Sequence, residues 1–390
     1  MNHAARLEIR CLQLRDVDAI EALAARSPAA DDSHEAENLA QKLEQFQRWY
    51  GLLKVLRLLP QPRHHLDFYV AEQAGDLRGA IQVSPFNTAR STWRVDRVLT
   101  DSREAGREVV LGMLDVGSQL LRHCFESIWE ARTWILEVDI HDKSTLALYR
   151  QNGFQPLAQL TYWAIAPEKL AELAQHEPRL PNLLPVGNAD AQLLYQLDTV
   201  SMPPLLRQVF DRHTDDFRTP PLQSAWEQAQ RLLRRPNVMS AYVFEPQRKA
   251  AIGYFKLHLA ESTDGPPHQA ELTVHPAYTW LYPELLAQMA RLTQATGDRP
   301  LQVLSADYQP EREEYCEQIG ATRERHTLLM SRSVWHKLRE ARPLEGLQLS
   351  DVLQGLQPAR TPVPTRLSLW QRPGRHAREP ERRRSEQSPE

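Results

Sequence analysis

Cysteine is scarce in this chain. Its three cysteines, Cys11, Cys124 and Cys316, lie far apart and form no C-x-x-C pair. That indicates neither a disulfide framework nor a zinc knuckle, and a reducing cytoplasm is the expected location. Long apolar runs are absent as well, since no stretch approaches the roughly twenty residues that a membrane span needs. The opening MNHAARLEIR is charged and lacks the apolar stretch of a secretory leader. Strong net charge is missing too: a formal value of −3 gives no bias toward nucleic acid. Fourteen histidines include no HExxH or comparable spacing, and His64-His65 reads as a loop pair. What is present is length and core material. With 390 residues, 42% of them hydrophobic, two domains are the default expectation.

The hydrophobic pattern alternates between strand and helix periods. Residues 7–14 read as a strand and 16–25 as a helix opened by Asp16. A polar break, SPAADDSHEAEN, precedes an amphipathic helix over about 39–59 that Pro60 ends. LDFYVAEQAG, LRGAIQVSPFN and STWRVDRVLTD read as three strands separated by turn chemistry. SREAGREVVLGMLDV reads as a charged loop, and GSQLLRHCFESIW as a helix whose stripe is Leu120, Leu121, Cys124, Phe125 and Ile128. TWILEVDI is a strand. In DKSTLALYRQNGFQPL, Asp142 caps a helix, and Gly153 supplies the left-handed residue that closes it.

The second half repeats this order. MSAYVFEP, AAIGYFKLHL and HQAELTVHP read as strands, followed by the helix YPELLAQMARLTQ, the strand LQVLSAD and the helix PEREEYCEQIGA. Gly153 and Gly320 are 167 residues apart, Leu120 and Leu285 are 165 apart, and Gly79 and Gly253 are 174 apart. The chain therefore reads as a tandem duplication, with an extra loop in the first copy just before its long helix. From about residue 341 the sequence is rich in Pro, Arg and Glu and is expected to be a disordered, solubilising tail.

The succession VGSQLLRHCFE, WILEVDIHD and LALYRQNGF resembles the GNAT superfamily of acyl-CoA-dependent N-acyltransferases, strongly over 93–165 and weakly over 242–335. The resemblance implies an α/β (α+β) fold of two tandem GNAT-like domains, 1–168 and 169–340, each a mixed, splayed central sheet flanked by helices. It implies acetyl-CoA as acyl donor, an amine-bearing acceptor (a small molecule, peptide or protein) and no metal. Pantetheine would lie between splayed strands at 93–100 and 133–140, with Val98, Leu99 and Thr100 among its partners. In the family an Arg/Gln-x-x-Gly-x-Gly/Ala loop holds the pyrophosphate at a helix start. Val116, Gly117 and Ser118 are the expected counterpart, on an alignment that places Gly112, Asp115 and Gly117 on the pattern. Converging N–H groups and the helix dipole favour an anion at such a start. Arg103 and Arg107 could fold over the phosphates.

Asp142 takes the family's helix-capping position beside the cofactor. Tyr149 matches the family's tyrosine beside the thioester sulfur, where a phenol can protonate a departing thiolate. The amine must lose a proton, and the candidate bases are Asp96 and Glu137, carboxylates near the splay. In the second copy Cys316 takes the tyrosine's place, with Tyr315 beside it. Trp280, Tyr282 and Pro283 replace small residues at its helix start, so the second half is expected not to be catalytic. Phe46, Trp49, Tyr50, Leu53, Leu56 and Leu58 form an apolar band where the family builds its acceptor pocket. The function implied is N-acetyl transfer to an amine. The alternatives are a non-catalytic acyl-CoA-binding or assembly module that keeps the fold, and an aminoacyl-type tandem transferase.

Overall fold

The chain is seen here in a computed structural model that describes residues 7–24, 67–100, 107–219, 237–260, 266–294 and 296–334. The expected helix at 39–59 with its apolar band, His64-His65, Arg103 and the tail lie outside the described residues. The first half contains β1 (Glu8–Cys11), α1 (Val17–Ala24), β2 (Asp67–Gln73), β3 (Asp76–Pro85), β4 (Thr92–Thr100), α2 (Arg107–Ser127), β5 (Thr133–Asp139), α3 (Lys143–Gln151) and β6 (Gln155–Ile165). After α4 (Pro167–Gln175) the second half follows with β7 (Leu183–Pro185), α5 (Ala191–Ser201), α6 (Pro204–Phe210), β8 (Val238–Glu245), β9 (Ala250–His258), β10 (His268–Val274), α7 (Leu281–Gln294), β11 (Leu301–Ala306), α8 (Pro310–Gln318) and β12 (Thr322–Ser333). No helix among the described residues is long and apolar enough to cross a membrane.

Both copies pack in the same way. The stripe of α2, Leu120, Leu121, Cys124 and Phe125, is buried with Trp93, Trp134 and Leu136 on one face of the sheet. The stripe of α7, Leu281, Leu285, Leu286 and Met289, is buried with Ile252, Leu272 and Val303 on the same face. α1 covers Phe68, Val70 and Leu99 on the opposite face, and α5 covers Tyr242 and Ala251 there. A side chain at Gly79 would strike Val116 and Leu120, and one at Gly253 would meet Leu281 and Leu285. Val116 is thus the counterpart of Leu281, the first residue of α7. The extra residues of the first copy are consequently an N-terminal extension of α2, where a loop had been expected. The sequence hid this because the β-branched pair Val109-Val110 and Gly112 interrupt the helical pattern.

The two halves share a single sheet. Its order is β1-β2-β3-β4-β5-β12-β6-β11-β10-β9-β8-β7, twelve strands among the described residues. The last strands are exchanged between copies. β12 of the second half runs antiparallel to β5 of the first, while β6 runs antiparallel to β11. β6 and β12 pair with each other at the centre. Each copy therefore completes the sheet of the other, which ties the halves together through backbone hydrogen bonds and a buried Trp163 Nε1–Ser305 Oγ bond of 2.8 Å. α6 lies over this junction, with Leu206 buried among Ala158, Leu160, Ala306 and Leu329.

Candidate functional site

The splay arises in the backbone of β4. Parallel pairing between β4 and β5 runs only from Thr92 and Thr133 to Val95 and Leu136. Opposite β3, Gln82 faces Arg97 and Val83 faces Val95, which leaves Asp96 as the extra residue of a β-bulge. Such a bulge turns the strand, and the end of β4, with Val98, Leu99 and Thr100, diverges from β5. The second half opens at the matching place, because β10 and β11 pair only from His268 and Leu301 to Ala270 and Val303.

Asp96 and Glu137 each follow the last β4–β5 pair by one residue. Arg94 Nε donates to Asp96 Oδ1 at 2.6 Å, so Asp96 shares the face of Arg94, opposite the core residues Trp93 and Val95. The Asp96 carboxylate is only 9% exposed, and its Oδ2 is buried without a hydrogen-bond partner among the described residues. Glu137 is exposed on the same face. It accepts a 2.6 Å bond from Thr327 Oγ1, a residue of the exchanged strand β12. Tyr162 on β6 adjoins this carboxylate, and Arg325 stacks on the Tyr162 ring at 4.5 Å. Burial first, and the charge of Glu137 second, push the Tyr162 phenol well above its ordinary range. Tyr162, Arg325 and Thr327 were not anticipated from the sequence, because only the strand exchange inserts β12 between β5 and β6.

Tyr149 lies on α3 at 5% exposure, its ring edge-on to Phe154 with centroids 5.7 Å apart. Asp142 caps α3, and its Oδ1 accepts from Thr145 N at 3.0 Å and from Ser144 Oγ at 2.7 Å. Burial works to raise this carboxyl, but the bonds from Thr145 and Ser144 outweigh it and hold the group below its ordinary range. Gly153 closes α3 at φ +81° and Gly320 closes α8 at φ +73°, the left-handed region that favours glycine.

Val116, Gly117 and Ser118 require a correction. They sit inside α2, whose backbone N–H groups are used by the helix, and so they do not form a helix start. Val116 packs under Gly79. A Cβ on Gly117 would lie 2.8 Å from Leu148 Cδ2, and Ser118 Oγ accepts from Asn152 Nδ2 at 2.8 Å. All three serve the contact of α2 with β3 and α3. Gly117→Val should therefore lower stability by about 1–3 kcal/mol, because Leu148 must move aside; a shift of the urea midpoint measures it. The start of α2 is Arg107, and the residues ahead of it, Arg103-Glu104-Ala105-Gly106, carry the Arg-x-x-Gly spacing.

The opening in the second half is occupied by the protein itself. Arg312 of α8, 4% exposed, donates from Nη2 to Leu272 O on β10 at 2.7 Å and from Nη1 to Leu304 O on β11 at 2.8 Å. Both carbonyls lie just beyond the last β10–β11 pair. Its guanidinium also stands over the Tyr282 ring, 5.5 Å away. The counterpart of Arg312 is Thr145, a short side chain engaged with Asp142. At the place of Tyr149, Cys316 is fully buried, and burial pushes its thiol up to about 11.

No family model and no curated protein matches the sequence. Solved structures do match. A GCN5-related N-acetyltransferase from Sphaerobacter thermophilus is similar at 14% identity over 84% of this chain and 95% of its own, with a TM-score of 0.50. The GCN5-related glucosamine N-acetyltransferase region of a fungal multi-domain GH3 β-N-acetylglucosaminidase is similar at 12% identity over 84% of this chain and 38% of that chain, with a TM-score of 0.52. A tandem GNAT protein from the clavulanic acid biosynthesis pathway aligns at 15% identity over 85% of this chain and 100% of its own, with a TM-score of 0.49. Together with the bulged β4, the splay beside β5 and the repetition of both, the first two of these likenesses give the chain the fold of the GCN5-related N-acetyltransferases, laid down twice in one polypeptide.

Proposed function

We propose that the protein is an N-acetyltransferase that moves the acetyl group of acetyl-CoA to an amine, with residues 1–168 carrying the reaction and 169–340 completing the acceptor side. The observation that supports this best is the difference between the two openings. The second is bridged by Arg312, while the first has Thr145 at that position and two carboxylates at its mouth. In this reading the edge of β4 beyond Val95, no longer paired with β5, receives the pantetheine. The start of α2, preceded by Arg103 and Gly106, receives the pyrophosphate.

Asp96 takes a proton from the attacking ammonium, the freed nitrogen bonds to the thioester carbonyl carbon, the C–S bond breaks as the carbonyl re-forms, and the new amide nitrogen loses its second proton to solvent. Tyr149 donates its hydroxyl proton to the departing thiolate, and solvent restores it. Glu137, anchored by Thr327, holds negative charge beside the amine. The second half contributes directly to the acceptor side. Asn87 Nδ2 donates to Asp211 O at 2.8 Å, and Thr92 Oγ1 donates to Val209 O at 2.8 Å, which fixes the end of α6 against the start of β4.

Calorimetric titration with acetyl-CoA tests the assignment. One equivalent per chain is expected. Two equivalents would mean that the Arg312-bridged opening also binds, and no binding would remove the transferase reading.

A further inference from the structure

Two buried polar atoms at the bulge have no hydrogen-bond partner among the described residues. Gln82 Nε2 on β3 and Asp96 Oδ2 on β4 make no hydrogen bond, and Gln82 is 4% exposed. They belong to neighbouring strands at the point where Gln82 faces Arg97 across the bulged Asp96. Their side chains share a face. Gln82 alternates with Ile81 and Val83, which lie in the α2 core, and Asp96 is bonded to Arg94 on the side away from that core. A buried donor and a buried acceptor left unpaired each cost stability, and native interiors seldom keep them without a purpose. The two groups are complementary in kind: Asp96 Oδ2 accepts, and Gln82 Nε2 donates.

Resting on the transferase reading above, we infer that Gln82 and Asp96 form an acceptor subsite selective for amines that carry a hydrogen-bond-accepting oxygen close to the nitrogen, the α-amino amide being the simplest such class. The ammonium donates to Asp96 Oδ2, where its proton is lost, and the neighbouring carbonyl oxygen accepts from Gln82 Nε2. Glu137 stands across the opening and adds negative charge on the amine side. A plain alkylamine satisfies Asp96 and leaves Gln82 unpaired. The site therefore discriminates by the cost of an unmade buried hydrogen bond. Gln82 here is a specificity residue, and Asp96 is the group that touches the reacting nitrogen.

The test compares glycinamide with n-propylamine as acceptors, following thiol release from acetyl-CoA with the full chain and expressing rates per free-base amine. Glycinamide should exceed propylamine in kcat/KM by about tenfold or more, the value of one hydrogen bond to a buried group. In Gln82→Leu the ratio should fall toward one. The melting temperature should hold or rise, because an unpaired buried amide is replaced by an apolar side chain of similar size. A lower melting temperature with the ratio unchanged would make Gln82 a structural residue and overturn the inference. Equal kcat/KM for the two amines in the parent would also overturn it while leaving the transferase reading intact. Release with neither amine would overturn the transferase reading, and this inference with it.

Discussion

Tyr149→Phe should lower turnover by about a hundred-fold, the usual effect of losing one positioned acid, while acetyl-CoA affinity changes little. The reason lies in what the substitution keeps. The ring is buried at 5% exposure and packs edge-on to Phe154, and phenylalanine preserves that ring and its contact. Only the hydroxyl is removed, and a proton donor to a leaving thiolate acts mainly in the transition state. A fall in kcat with unchanged acetyl-CoA affinity is the pattern such a loss produces. Thiol release measured under saturating acetyl-CoA reports kcat, and calorimetry reports affinity. Equal turnover in the variant and the parent would reduce Tyr149 to a packing residue. Cys316→Ala, at the corresponding place, supplies the control: its thiol is fully buried and held protonated, so turnover should not change.

Arg312→Met should destabilise the protein by roughly 3–6 kcal/mol, two charge-assisted hydrogen bonds at about 1.5–3 kcal/mol each. Methionine fills much of the space but offers no donor. Leu272 O and Leu304 O would then be left unsatisfied in a buried gap where the strands no longer pair. The loss is tempered because Arg312 Nε already lacks a partner, so its removal relieves one unmet donor. Urea unfolding followed by far-UV circular dichroism measures the change. A loss below about 1 kcal/mol, the scale of a single ordinary hydrogen bond, would show that Arg312 does not brace the opening. The same variant should still bind one equivalent of acetyl-CoA. Its helix start remains crowded by Tyr282, which is buried at the position that Gly117 holds in the first copy.

Much of the fold was legible locally. The stripe Leu120, Leu121, Cys124 and Phe125 marked the buried face of α2 because helical period alone decides which side chains share a face. Asp142 and Gly153 marked the ends of α3 because capping and left-handed closure depend on one or two residues each. The similar spacing of such marks, 165 to 174 residues, revealed the duplication. The carboxylates Asp96 and Glu137 were also visible as candidates, since both stand on strands expected to diverge. The start of α2 was misplaced, because two valines and a glycine weaken a helical signal that the packing of Val116 and Leu120 beneath Gly79 then sustains.

By itself, the sequence determined the two copies, their order of elements and the faces each element buries. Only the tertiary structure decided which copy's last strand stands beside β5. β6 and β12 come from equivalent positions, so each carries a pattern that would suit either sheet, and local periodicity cannot choose between them. The exchange follows from pairing across the whole chain, and with it Thr327 arrives beside Glu137 and Arg325 over the Tyr162 ring. Tertiary packing likewise set Gly117 against Leu148, placed Arg312 across the second opening and left Gln82 and Asp96 unpaired at the bulge. Each of these depends on contacts between residues far apart in sequence, and such contacts leave no mark in the spacing of a single segment.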